Sequence, residues 1–161
     1  MARAKRQDQG EGLQIGDLGA VGAGGELGQR HLDHPDVLVL ALGPAARLLC
    51  FAGRPAKEKN VDVLIEAVQK LGAPYYLVLV GAGSGMPAED RVISLPYEKD
   101  PRAVAKIIAS CDAFVHANDK EPFGLIVLEA MACGAVVIGS DTPPVAEVIR
   151  IAHARGIPVL V

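Results

Sequence analysis

Short apolar runs, punctuated by glycine, proline and polar residues, set the rhythm of this chain from residue 47 onward. Residues 48–52 (Leu-Leu-Cys-Phe-Ala) read as a buried strand broken at Gly53. Over residues 61–71, Val61, Leu64, Ile65, Val68 and Leu71 fall on one stripe at helical spacing, with Asn60 as N-cap and Gly72 just past the end. Strands are expected at 76–80 and 92–95, a helix led by Pro101 at 101–110 and a strand at 113–116. A helix beginning near Phe123 or Gly124 is closed by Gly134 and followed by a strand at 135–139. The last pair is a helix at 143–155, started by Asp141 or Thr142 and stopped by Gly156, and a strand at 157–161. Continuous apolar strands alternating with helices predict an α/β fold, a Rossmann-like parallel sheet with helices on both faces.

Residues 1–46 follow a different pattern. Gly10, Gly12, Gly16, Gly19, Gly22, Gly24, Gly25 and Gly28 crowd a polar stretch without sustained period, so a glycine-rich, poorly ordered leader is expected, with one candidate strand at 36–42. Gly22-Ala23-Gly24-Gly25 does not keep the G-x-G-x-x-G spacing of a dinucleotide loop and reads as linker. The domain proper is residues 47–161, and the 161-residue chain is long enough for one sizeable core.

Charge and composition then exclude several functions. A net charge of −3, with aromatics that are few and not interleaved with basic residues, gives neither the field nor the stacking surface for nucleic acid. No apolar run is long enough for a membrane span, and no signal-peptide core follows Arg3, Lys5 and Arg6, so a cytoplasmic protein is expected. Cys50, Cys111 and Cys133 are scattered in apolar surroundings without metal-ligand spacing, which reads as reduced core thiols and no metal.

The candidate chemistry lies where the strands end. In open α/β sheets, ligands bind beyond the carboxyl ends of the strands. The segments there are Gly53 to Asn60, Gly81 to Gly85, Pro96-Tyr97 and His116 to Glu121. Glu121 and Glu129 stand eight residues apart across the start of an apolar helix. The free N–H groups of a first helical turn suit a phosphate, and carboxylates accept hydrogen bonds from vicinal hydroxyls. A sugar phosphate or nucleotide fits both; an exposed helical glutamate behind a plain cap is the simpler alternative.

The run from Glu121 to Gly134 resembles the E-x7-E motif of the retaining GT-B glycosyltransferases often called glycosyl transferases group 1. Their form is commonly E-x-F-G-L-x-x-x-E-A-M-A-C/A-G followed by a strand. Glu121, Phe123, Gly124, Leu125, Glu129, Ala130, Met131, Ala132, Cys133 and Gly134 match it. The resemblance runs from about Arg47 to about Ile149 and implies the second, donor-binding half of a GT-B enzyme. It implies that Arg54 and Lys59 meet the donor diphosphate, with Lys57 a nearby competitor. Glu121 would lie near the donor sugar, and these three form the implied catalytic set. Glu129 would hold the ribose hydroxyls, and the amides of Phe123, Gly124 and Leu125 would meet the phosphates. Gly53, Gly81 and Gly83 would back the donor, and Pro96 and Tyr97 would read the base through the backbone.

The donor implied is a UDP- or GDP-sugar, with no cofactor and no metal. Asn118 and Asp119 stand where the family often has Ser or Pro and are given no role, and His116 is read as a half-buried structural histidine. Asp141-Thr142-Pro143-Pro144 departs from the family's Gly-Gly-x-Pro-Glu. Nothing in residues 1–46 resembles the acceptor-binding half, so an N-terminal GT-B domain or a partner chain is expected to complete the cleft, over an exposed apolar face. The alternatives are a nucleotide-binding module without catalysis, a truncated fragment, or a GT-B sugar-nucleotide epimerase.

Overall fold

The computed structural model describes residues 42–82 and 89–160. Six strands lie in one sheet: β1 Arg47–Ala52, β2 Tyr75–Val80, β3 Val92–Leu95, β4 Ala113–His116, β5 Val136–Gly139 and β6 Val159–Leu160. Four helices connect them: α1 Val61–Leu71, α2 Pro101–Ser110, α3 Leu125–Ala132 and α4 Val145–Ala154. The strand order is β3-β2-β1-β4-β5-β6, and every neighbouring pair is parallel. The chain therefore builds outward from β1 in one direction and then restarts at β4 on the other side. This is the doubly wound order, and the crevice between β1 and β4 is its switch point.

Each central strand is buried on both sides, which is why it reads as an unbroken apolar run. In β1 and β2, Leu48, Cys50, Tyr76, Val78 and Val80 join one core with Ile107, Ile108, Val127, Ala130, Val145 and Ile149 of α2, α3 and α4. Phe51, Leu77 and Leu79 alternate to the opposite face and pack with Val61 and Val68 of α1. Helices thus cover both faces, three on the first side and one on the second. α4 lies closest at Gly139, where an added Cβ would sit 2.5 Å from Ile149 Cδ1 and 3.0 Å from Val145 Cγ1.

The departures from the expected elements are small. α3 starts at Leu125, because Gly124 takes a left-handed conformation (φ +64°) as its N-cap. α4 starts at Val145, two residues later than expected, with Pro144 rather than Asp141 or Thr142 as N-cap. Of the strand expected at 157–161, Val159–Leu160 forms and Ile157 and Pro158 lie outside the ladder, while Val161 lies outside the described residues. Asn60 is the N-cap residue of α1 but makes no side-chain cap bond. The leader and the strand expected at 36–42 lie outside the described residues except for residues 42–46, where Leu42 is helical and packs against the core and Ala46 is buried in it.

The outer side of α3 and α4 is apolar and open. Leu128, Met131, Ala132, Val148, Ile151, Ala152 and Ile157, with Arg155, line a groove of about 340 Å3 between them. Phe123 and Leu125 extend the exposed apolar surface toward the start of α3. No helix among the described residues is long and apolar enough to cross a membrane.

Candidate functional site

The segments that follow β1 and β4 diverge at the switch point, and their side chains meet across it. The loop after β1 makes a single 3-10 turn, Lys57–Lys59, that ends on Asn60 in a left-handed conformation (φ 49°). This turn directs Lys59 back over the sheet edge, where its Nζ donates to Glu121 Oε2 at 3.0 Å. Asn60 Nδ2 donates to the carbonyl of Ala117 at 2.8 Å, so it ties the β1 loop to the β4 loop instead of capping α1. Asn118 Nδ2 donates to the same Glu121 Oε2 at 2.7 Å, and Asn118 Oδ1 accepts from the Lys120 N–H at 2.9 Å. From the β5 end, Ser140 Oγ donates to the Asn118 carbonyl at 2.9 Å and contacts Thr142 Oγ1 at 2.9 Å. Three strand-end loops are thereby laced into one polar cluster.

His116 closes the floor of this cluster and is fully buried, not half-buried, as is Asn118 two positions on. Its Nε2 lies 3.5 Å from Glu121 Oε2, outside hydrogen-bond geometry, and neither ring nitrogen has a partner. Burial lowers the imidazole pKa against the pull of Glu121, so the ring is neutral near pH 7. Partial burial works to raise the Glu121 pKa, but the Lys59 and Asn118 hydrogen bonds and the Lys59 charge hold it below the ordinary value. Glu121 is therefore a fixed carboxylate, suited to accept a hydroxyl proton in a hydrogen bond and poorly suited to act as a general acid.

Gly53 and Gly81 lie side by side at the ends of β1 and β2. Gly81 has φ +89°, and a Cβ there would come 3.2 Å from the Gly53 carbonyl oxygen. Only glycine allows this close approach without strain, and it leaves bare backbone facing the space above the strands. Gly83 lies outside the described residues. Pro96 and Tyr97 follow β3 and are exposed. Gly124 is buried at the start of α3, and Phe123 and Leu125 are exposed beside it. The first bonds of α3 run from the Val127 and Leu128 N–H groups to the Gly124 carbonyl, at 3.0 and 3.3 Å. The Leu125 and Ile126 N–H groups precede them and have no backbone acceptor within the helix. Glu129 stands exposed on α3, and Arg54 and Lys57 are exposed on the β1 loop. None of these three forms an ion pair among the described residues, in contrast to Lys59.

Of the expected site residues, the structure thus joins Lys59 to Glu121 and Gly53 to Gly81. Arg54, Glu129, Pro96 and Tyr97 lie on separate elements around the same sheet edge. Sequence reasoning missed Asn118 as a member of the cluster. Its signal was present: a polar residue two positions past a fully buried strand and three before Glu121.

Comparison with known proteins bears on the family and the fold. A model of the family described as "Glycosyl transferases group 1" matches residues 40–158. A GDP-mannose-dependent alpha-(1-6)-phosphatidylinositol dimannoside mannosyltransferase of Mycobacterium tuberculosis is 34% identical over 115 residues, covering 66% of this chain and 30% of that protein. An N-acetyl-alpha-D-glucosaminyl L-malate synthase of Bacillus anthracis is 31% identical over 121 residues, covering 68% of this chain and 31% of that protein. Among solved structures, the lipopolysaccharide glycosyltransferase WaaG aligns with a TM-score of 0.60 at 22% identity, over 74% of this chain and 35% of that one. The pneumococcal O-GlcNAc transferase GtfA, solved in complex with UDP and GlcNAc, aligns with a TM-score of 0.50 at 25% identity, over 65% of this chain and 23% of that one. The chain spans about 30% of the length of the curated relatives it matches. With the doubly wound sheet and the family model in agreement, the chain belongs to the glycosyl transferases group 1 family and has the fold of a GT-B glycosyltransferase C-terminal domain.

Proposed function

We propose that this domain binds the donor of a retaining glycosyltransferase that moves a sugar from a UDP- or GDP-sugar to an acceptor hydroxyl. The observation that carries the reading is the convergence of Lys59 and Asn118 on Glu121 at the switch point, beside the unpaired start of α3. One relative is named as GDP-mannose-dependent and one structural neighbour was solved with UDP, so both nucleotides are considered. In this reading Arg54, Lys59 and the first-turn amides of α3 receive the diphosphate. Glu129 accepts hydrogen bonds from the ribose hydroxyls, and Glu121 accepts one from the sugar. The Gly53 and Gly81 backbone lies along the donor, with Gly83 beside it, and the base lies against Pro96 and Tyr97.

In the reaction, the bond from the anomeric carbon to the diphosphate oxygen breaks and the diphosphate leaves with the electron pair. The acceptor oxygen bonds to the same face of that carbon, and its proton passes to the leaving phosphate oxygen. Fixed cations stabilise this step because the charge on the diphosphate grows as the bond breaks. The acceptor is held by a further GT-B half, in a neighbouring domain or a partner chain, and turnover depends on it.

Calorimetric titration with UDP and GDP tests the donor site. Saturable binding to one nucleotide is expected, weakened about tenfold or more by Arg54→Ala and by Glu129→Ala, the effect of one charge-assisted contact. Absence of binding to both nucleotides would refute the reading.

A further inference from the structure

We propose that Asn118 is a positioning residue of this site, holding Glu121 by Oε2 so that Oε1 is presented to a ligand hydroxyl. The ligand part of this inference rests on the donor-site reading. The hydrogen bonds on the glutamate are one-sided. Lys59 at 3.0 Å and Asn118 at 2.7 Å both donate to Oε2, and His116 Nε2 stands 3.5 Å from the same atom. Oε1 accepts none among the described residues, and the sealed polar atoms without partners are the two His116 nitrogens, so Oε1 remains open to solvent.

Of the two donors, Asn118 is the rigid one. It is 1% exposed, and its own position is fixed by the Lys120 N–H on Oδ1 and by Ser140 Oγ on its carbonyl. Lys59 reaches the carboxylate on a flexible stem whose ammonium would also be drawn to a phosphate. When a diphosphate takes that ammonium, Asn118 is the donor that remains on Oε2. Without it, the carboxylate is free to rotate and to offer either oxygen, and a specific hydroxyl contact loses its geometry.

Asn118→Asp is the direct test. It keeps size, the Oδ1 acceptor and the backbone bonds, and it replaces the Nδ2–H donor by an acceptor facing Glu121. Asn118→Ala removes both side-chain bonds, and Asn118→Ser offers a shorter donor, serving as the conservative variant if Asn118→Asp does not fold. The first readout needs no ligand: the Glu121 carboxyl, followed by carbon-13 NMR, titrates at higher pH in Asn118→Asp than in wild type. A Glu121 titration that stays the same in the folded variant overturns the proposal.

The second readout compares UDP-glucose with UDP and GDP-mannose with GDP by calorimetry. Wild type binds the matching nucleotide sugar more tightly than the bare diphosphate. Asn118→Ala, which adds no charge beside the diphosphate, lowers that ratio about fivefold or more and changes affinity for the bare diphosphate by less than about twofold. Adding Asn118→Ala to Glu121→Gln produces no further loss, because the asparagine acts through the glutamate. Independent, additive losses would assign Asn118 a merely structural role. Failure of wild type to bind any of the four compounds would remove the donor-site reading itself, and the Glu121 titration then decides the positioning claim alone.

Discussion

His116 shows how one side chain can make the stability of this domain depend on pH. Its ring is buried at the end of β4, with both nitrogens unpartnered, and faces Glu121 and, more distantly, Lys59. Burial sets its pKa below 6.5, the value it regains on unfolding. The unfolded chain therefore binds the proton first as pH falls, so stability is fully present above about pH 6.5 and declines below it, by at most about 1.4 kcal/mol per pH unit. Glu121, whose pKa is also lowered in the fold, adds a second decline at more acid pH, in the carboxylate range. Replacing His116 by Phe is expected to flatten the first decline and keep the second, as read from urea unfolding at a series of pH values. A slope between pH 5 and 6.5 that survives in His116→Phe would place its origin elsewhere.

Among the elements, β5 and α4 approach closely at Gly139 and give a sharp test of packing. Gly139 leaves room for Ile149 Cδ1 and Val145 Cγ1, and both side chains are completely buried. Gly139→Ala is expected to destabilise the fold by about 1–3 kcal/mol through overpacking, with an unchanged denaturant slope. Adding Ile149→Val, which removes the clashing methyl, should recover part of that loss. Elements of this kind were legible in the sequence because parallel strands buried on both faces show as apolar runs, and glycines and prolines mark their ends. Leu48 to Ala52 and Val61 to Leu71 fell almost where the pattern put them. The start of α4 was misplaced because Asp141 and Thr142 are good capping residues, yet the Pro143-Pro144 pair follows them and the helix begins only at Val145. The Asn60 side chain could not be foreseen either: its partner, Ala117, is 57 positions away, and periodicity carries no information about side chains that cross a sheet edge.

For the whole molecule, the open groove between α3 and α4 presents an exposed apolar face. Leu128 and Ile151 stand 47% and 48% exposed on its rim, against the usual tendency of large aliphatic side chains to be covered. A hydrophobic dye such as ANS should bind the folded chain there, and Ile151→Glu should reduce the signal without lowering the melting temperature. The site itself was legible as a set of strand-end loops, since parallel topology dictates that they share an edge. Which lysine turns inward was not legible, because that depends on the left-handed Asn60 at the end of one short turn. The switch-point topology has a consequence for how occupancy and folding are coupled. Lys59 and Glu121 are 62 positions apart, and α1, β2, β3, α2 and β4 lie between them in the chain. A molecule that touches both loops ties together the two independently wound halves of the sheet, so its binding energy is added to the cooperative unfolding of the domain and not to one flexible loop. At a hundredfold excess over its dissociation constant, such a ligand contributes about 2.7 kcal/mol to global stability. Melting temperature is then a direct meter of occupancy, and a panel of nucleotides and sugar nucleotides can be ranked on this chain without any acceptor or turnover assay.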